Sequence, residues 1–203
     1  FGGGLNEQGQ YLKDSRQINK VWDRIYITGV DGASNKKKLK RLGITHILNM
    51  SGLEVYHLAE VPPETAYHPV DFNYKHFAIG DLPTESIIGT FMETSPFIHE
   101  GRSGKNKILV HCYMGVSRSS TVVLAYLMDT MGLDLHTALN EIRKARKICN
   151  PNSGFMEQLA QYENLLRGGQ RGTLTQQQAM QLQPSPQPST QMANTIPQGN
   201  SSP

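Results

Sequence analysis

One stretch constrains this chain more than any other. Ile108-Leu-Val-His-Cys-Tyr-Met-Gly-Val-Ser-Arg-Ser-Ser-Thr121 runs a short apolar segment into a cysteine, a loop and the start of a helix. Ile108, Leu109 and Val110 form the apolar run that a central parallel strand needs, and Val122-Val-Leu-Ala-Tyr-Leu-Met128 continues as an apolar helix. A strand, loop and helix in that order belong to an α/β sheet, where ligands bind at the carboxyl ends of the strands. Cys112 stands at such an end. The N–H groups of a tight loop leading into a helix make an anion site. Tyr113, Met114, Gly115, Val116 and Ser117 therefore read as a phosphate cradle with a thiol at its base, and Gly115 as the point where the backbone approaches closely.

The thiolate is the attacking form of cysteine. A helix N-terminus carries about half a positive charge and favours that form. Arg118, six residues after Cys112, is placed to point back into the cradle, where its planar fork can hold two phosphate oxygens; lysine lacks that fork. The Ser119 hydroxyl can reach the sulfur and steady it, first as thiolate and later as leaving group. His111 is expected to fix the loop from behind.

The pattern His-Cys-x-x-Gly-x-x-Arg-Ser, present as His111 to Ser119, resembles the signature of the cysteine-dependent protein tyrosine phosphatases. With the helix that follows, it is similar to the small, atypical dual-specificity phosphatases. Val21-Trp-Asp-Arg-Ile-Tyr-Ile-Thr-Gly29, Leu42-Gly-Ile-Thr-His-Ile-Leu-Asn49, Gly80-Asp-Leu-Pro-Thr84 and Pro151-Asn-Ser-Gly-Phe155 resemble family segments in family order, so the likeness covers residues 18–167.

The resemblance implies a protein phosphatase that hydrolyses phosphotyrosine and phosphoserine or phosphothreonine through a phosphocysteine, with no cofactor and no metal. Cys112 would be the nucleophile, Arg118 the transition-state clamp and Asp81 the general acid, with Asp71 and Glu85 as runners-up. A basic position flanking the family's active site falls to Arg146 or Lys147, because the chain is one residue longer before Pro151; it implies a second phosphate contact. Relatives that prefer phosphoinositides carry lysines inside the loop, and this loop has none. Mitogen-activated protein kinases are expected substrates at the level of the family alone. The rival readings are a phosphosite-binding scaffold with little turnover, a phosphatase of non-protein phosphomonoesters, and a redox sensor pairing Cys112 with Cys149.

Of the 203 residues, 37% are hydrophobic and 18% charged, enough for one domain with a sizeable core. A net charge of +3 suits anionic substrates but lacks the clustered basicity of a nucleic-acid binder. Two cysteines without a CxxC pair point to a reducing compartment, cytoplasmic or nuclear. No apolar run is long enough to span a membrane. A start at Phe1 rather than at methionine suggests a fragment.

The elements follow in order. Residues 1–17 read as a flexible lead-in, and Val21 to Ile27 as the first strand. Ser34 is expected to cap a helix from Asn35 to Leu42 that Gly43 ends; Lys36, Lys37, Lys38, Lys40 and Arg41 on it offer a docking patch for an acidic partner. Ile44 to Met50 is the second strand, Gly52 to Asn73 a loop, and Tyr74 to Ile79 a strand. A helix is expected to open at Thr84 or Glu85, with Pro96 restarting it under a Ser95 cap. Asp134–Lys147 and Asn152–Leu166 carry the last helices. The fold class is α/β: one phosphatase-like domain with a mostly parallel sheet and helices on both faces. Residues 168–203, rich in Gln, Ser, Thr and Pro, are expected to form a disordered tail.

Overall fold

The structure is a computed structural model that describes residues 7–52 and 71–168. Strands β1 (Asn19–Trp22), β2 (Ile25–Thr28), β3 (His46–Asn49), β4 (Asn73–His76) and β5 (Ile108–His111) form one sheet in the order β1-β2-β5-β3-β4. β1 is antiparallel to β2 and every other pair is parallel. β5 is central: Ile108 is level with Ile25 on one side and with His46 on the other. That position buries all four of its residues, which explains its unbroken apolar character.

Strand alternation divides the core in two. Ile25, Ile27, Leu48, Ile108 and Val110 face a layer built from α4 (Phe91–Arg102), α5 (Arg118–Met131), α6 (Leu135–Ala145) and α7 (Ser153–Arg167). Tyr26, Ile47 and Leu109 face the opposite layer, where Ala33 of α2 (Val30–Ala33) and Leu39 of α3 (Lys36–Leu42) pack with Ile44 and Phe72. Helices on both faces match the sequence reading. α5 is buried without interruption from Arg118 to Met128, and its Val122–Met128 stretch is the apolar helix expected from the sequence. Truncating Leu127 to alanine in such a core costs about 2–5 kcal/mol.

Several elements depart from expectation. The predicted first strand is two, because Asp23-Arg24 reverses the chain between the apolar runs and Arg24 takes a φ of 61°. The expected loose lead-in contains a helix, α1 (Glu7–Ser15), whose last turn is held by tertiary bonds: Gly29 N–H donates to the Ser15 carbonyl at 2.9 Å. Asn35, not Ser34, caps α3 by accepting from the Lys38 amide; Ser34 instead closes the turn of α2 by donating to the Val30 carbonyl. Gly43 ends α3 in the left-handed region, as expected.

The helix expected from Thr84 begins only with a 3₁₀ turn at Ile88–Thr90 that leads into α4. Gln158 on α7 holds the preceding loop open: its Oε1 accepts from the amides of Ile87 and Ile88 and its Nε2 donates to the Glu85 carbonyl. Pro96 lies inside an unbroken α4, whose buried Phe91 and Ile98 anchor it on both sides of the missing N–H. The predicted loop from Gly52 lies mostly, and the predicted tail almost wholly, outside the described residues.

Candidate active site

The loop between β5 and α5 is fixed by its carbonyls. His111 Nδ1 faces the Cys112 carbonyl at 3.4 Å, and the Val30 amide donates to the Tyr113 carbonyl at 2.8 Å. Arg146 donates from Nη2 to the Met114 carbonyl and from Nε to the Gly115 carbonyl, at 3.1 and 2.8 Å. The Asn150 amide donates to the Val116 carbonyl at 2.9 Å. The carbonyls from Cys112 through Val116 are thus engaged from outside. A trans peptide points its N–H opposite its carbonyl, so the following amides turn toward the hollow side, the arrangement of an anion nest. Gly115 makes this possible with a φ of +66°, and a Cβ there would lie 2.3 Å from the Thr28 carbonyl group. The close approach foreseen at Gly115 is to the end of β2.

Cys112 is buried at the base of this hollow, 3.4 Å from the Ser119 hydroxyl. His111 is fully enclosed; burial pushes its imidazole down to about 3, so it is neutral at physiological pH and Nδ1–H can donate to the Cys112 carbonyl. Arg118 opens α5 and is 3% exposed. Its Nη1 donates to the Ile79 carbonyl at 2.8 Å, and its Nε stands 3.6 Å from Asp81 Oδ2.

Asp81 reaches the same mouth from the loop between β4 and α4. The N-terminus of α7 sets that loop. Asn152 Nδ2 donates to Asp81 Oδ1 at 2.9 Å, and its backbone amide donates to Ser117 Oγ at 3.1 Å. Gly154 leaves no room for a side chain, since a Cβ there would lie 1.9 Å from the Pro83 carbonyl oxygen. Asp81, distant in the sequence, is therefore brought against Arg118, which shares its short segment with Cys112 and Ser119.

The sequence profile described as "Dual specificity phosphatase, catalytic domain" matches residues 25–165. The chain belongs to the dual specificity phosphatase family. Dual specificity protein phosphatase 1B of Arabidopsis thaliana is 33% identical over 168 residues, covering 83% of this chain and 95% of that protein. Human Protein phosphatase Slingshot homolog 3 is 30% identical over 89% of this chain, but the match spans only 26% of that longer protein. The crystal structure of human tyrosine phosphatase-like serine/threonine/tyrosine-interacting protein superposes with a TM-score of 0.68 at 30% identity, over 75% of this chain and 99% of that one. The chain is thus a small dual specificity phosphatase, with protein phosphatase as its class of activity and the fold of its relatives.

Other expected site residues of this phosphatase lie elsewhere. Arg146, expected as a second phosphate contact, is 3% exposed and faces the back of the loop, so that expectation is corrected by its burial and hydrogen bonds. Lys147 is exposed beside Asp14, Gln17 and Asn19 at a shallow surface pocket. Asp71, a runner-up for the acid, pairs with Lys36 and, at 2.6 Å, with Lys40; their hydrogen bonds pull its carboxyl down to about 2. Two of the five cations proposed as a docking patch are committed to that pair. The Glu85 side chain lies against Gly80. Cys149 is buried, and burial pushes its thiol up, which disfavours the thiolate that disulfide exchange needs. Sequence reasoning missed Asn152 and Gln158 as supports of the Asp81 loop. The Asn-Ser-Gly-Phe start of α7 marks a helix cap, but nothing local signals the reach to Asp81.

Proposed function

We propose that this phosphatase hydrolyses phosphotyrosine and phosphoserine or phosphothreonine in proteins through a phosphocysteine at Cys112. The observation that carries this reading is the run of outward-held carbonyls from Cys112 to Val116, which presents amide N–H groups beside a cysteine and an arginine. Those donors fit the equatorial oxygens of a phosphoryl group in transfer.

The thiolate sulfur attacks phosphorus and the bond to the leaving oxygen breaks. Asp81 protonates that oxygen, which matters because a phenolate, and still more an alkoxide, leaves poorly. Asp81, now ionised, takes a proton from water, whose oxygen attacks phosphorus. The thiolate departs with inorganic phosphate as product, and Ser119 Oγ steadies the sulfur at both stages. Arg118 holds two phosphoryl oxygens throughout. Loop positions Tyr113, Met114, Val116 and Ser117 lack the lysines that would suit an inositol ring, which supports a protein substrate. Mitogen-activated protein kinases are one substrate class for this site, exposed Lys37 and Arg41 offer an acidic partner a foothold, and two free cysteines suit a cytoplasmic or nuclear setting.

The second reading, a phosphosite-binding scaffold, is favoured by likeness to a protein named as phosphatase-like and interacting. Against it stands the retention of Cys112, Arg118 and Asp81 in one hollow. Turnover of para-nitrophenyl phosphate and of phosphotyrosine and phosphothreonine peptides, inhibited by vanadate and abolished in Cys112→Ser, is the expected result. Phosphopeptide binding without turnover by the unaltered protein would replace this reading with the scaffold.

A further inference from the structure

Arg146 caps the carboxyl end of α6 and is almost wholly enclosed, yet every contact found for it above is made to the back of the phosphate loop. Further bonds run to the N-terminal segment. Nη1 donates to the carbonyls of Asp14 and Gln17 and to Asn19 Oδ1, at 3.1, 3.0 and 2.6 Å; Nη2 donates to the Ser15 carbonyl at 3.3 Å. One guanidinium thus grips the Met114 and Gly115 carbonyls on one side and the end of α1 with the start of β1 on the other. Gly29 lies in the same seam: a Cβ there would sit 2.8 Å from the Tyr113 carbonyl and 2.9 Å from that of Ser15. Its amide already donates to Ser15.

We propose that Arg146 is a positioning residue that holds the phosphate loop in its anion-binding form and makes the docking of α1 part of that form. The inference rests on the reading of Cys112 and its loop as the phosphatase site. Two of the outward-held carbonyls are Arg146's own acceptors. Releasing them frees the peptides on either side of Gly115 to rotate, and an amide that rotates away is lost to the transferring phosphoryl group. Because the bonds to Asp14, Ser15, Gln17 and Asn19 orient the same guanidinium, disturbing the N-terminal segment loosens the loop without touching substrate. Arg146 acts before the leaving group is chosen, so its loss slows good and poor leaving groups alike.

The test measures orthovanadate binding by calorimetry, together with kcat and KM on para-nitrophenyl phosphate and a phosphotyrosine peptide, in the full chain and its variants. Arg146→Lys keeps the charge and loses the fork, and should weaken vanadate and lower kcat/KM by about tenfold on both substrates. Asn19→Ala removes the shortest of the bonds named here and Gly29→Ala wedges the seam; each should move the same parameters by about threefold in a protein that melts cooperatively. Asn19→Ala added to Arg146→Lys should cost less than the product of the two effects, since both act through one clamp. Melting temperatures lowered while vanadate affinity and kcat stay within about twofold would make Arg146 a strut of the fold and overturn the inference. A doubly phosphorylated peptide is assayed alongside, and a defect confined to it would overturn the inference in favour of a phosphate contact. If Arg146→Lys does not fold, the milder Asn19→Ala and Gly29→Ala decide alone. Failure of the unaltered protein to bind vanadate or turn over substrate would instead refute the phosphatase site itself.

Discussion

Asn152 joins the cap of α7 to the loop of the proposed acid, donating from Nδ2 to Asp81 Oδ1 across 2.9 Å while its own Oδ1 accepts from the Phe155 amide. The cap fixes which way the side-chain amide faces, because an accepting oxygen toward Phe155 leaves only the NH₂ group for Asp81. The other oxygen of Asp81 lies toward Arg118. One carboxylate is thus held between the helix that supports its loop and the arginine that would hold the substrate.

Asn152→Asp separates the two duties of this side chain. Aspartate caps a helix as well as asparagine does, so the melting temperature should change little. Its carboxylate cannot donate the hydrogen bond that orients Asp81, so kcat on a phosphotyrosine peptide should fall about tenfold. Equal kcat for the variant and the unaltered protein would show that Asn152 serves α7 alone.

Arg118→Lys keeps a positive charge at the mouth of the hollow and removes the planar fork. A lysine also cannot satisfy the Ile79 carbonyl and reach a phosphoryl group in the same geometry. KM should rise and kcat fall together, because the arginine is proposed to hold both the bound phosphate and the transition state. Steady-state kinetics near those of the unaltered protein would remove Arg118 from the mechanism.

What could be read from the sequence follows the distance over which each feature is decided. The strand, Cys112, the Gly115 turn and the start of α5 lie within one short segment, so the strand-loop-helix reading and the family resemblance both rest on a few adjacent residues. Arg146 is decided by partners 31 to 132 residues away, and its basic character alone fitted a phosphate contact as well as a clamp. α1 failed to show itself for the same reason: its sequence is polar, and its last turn is held by tertiary bonds from Gly29 and Arg146. The apolar spacing of Ile88, Phe91 and Met92 suggested a helix from Thr84, but Gln158 takes the Ile87 and Ile88 amides from across the fold and keeps the Asp81 loop open.

Asp71 gives a test of surface electrostatics apart from the site. Lys36 and Lys40 hold its carboxyl at about 2, below the ordinary 3.8, so the pair stabilises the fold above the unfolded value and loses that effect as pH falls toward 2. Asp71→Asn should melt lower than the unaltered protein at pH 7, with the gap closing as pH is lowered from about 4 to 2. Because both lysines are substantially exposed, salt should narrow the gap at neutral pH as well. A gap that ignores both pH and salt would mean that Asp71 acts through packing.

Asp81 can be tested for a role and not only for a position. If it supplies the leaving-group proton, its value depends on how badly the departing oxygen needs one. An activated aryl phosphate releases its phenolate almost unaided, phosphotyrosine does so less readily, and phosphothreonine must expel an alkoxide. Asp81→Asn keeps the size of the side chain and can still accept through Oδ1 from Asn152, but it has no proton to give. It should cost little on the activated aryl ester and about 10²–10⁴-fold on phosphothreonine, so that a plot of rate against leaving-group basicity steepens. Arg146→Lys, which loosens the cradle, should leave that slope unchanged, so the two variants distinguish proton transfer from oxyanion positioning. If Asp81→Asn slows every substrate by one common factor, Asp81 merely orders the loop and its neighbour Arg118. Glu85, lying against Gly80 on the same loop, then becomes the carboxylate to replace; Asp71, held by two lysines near β4, does not.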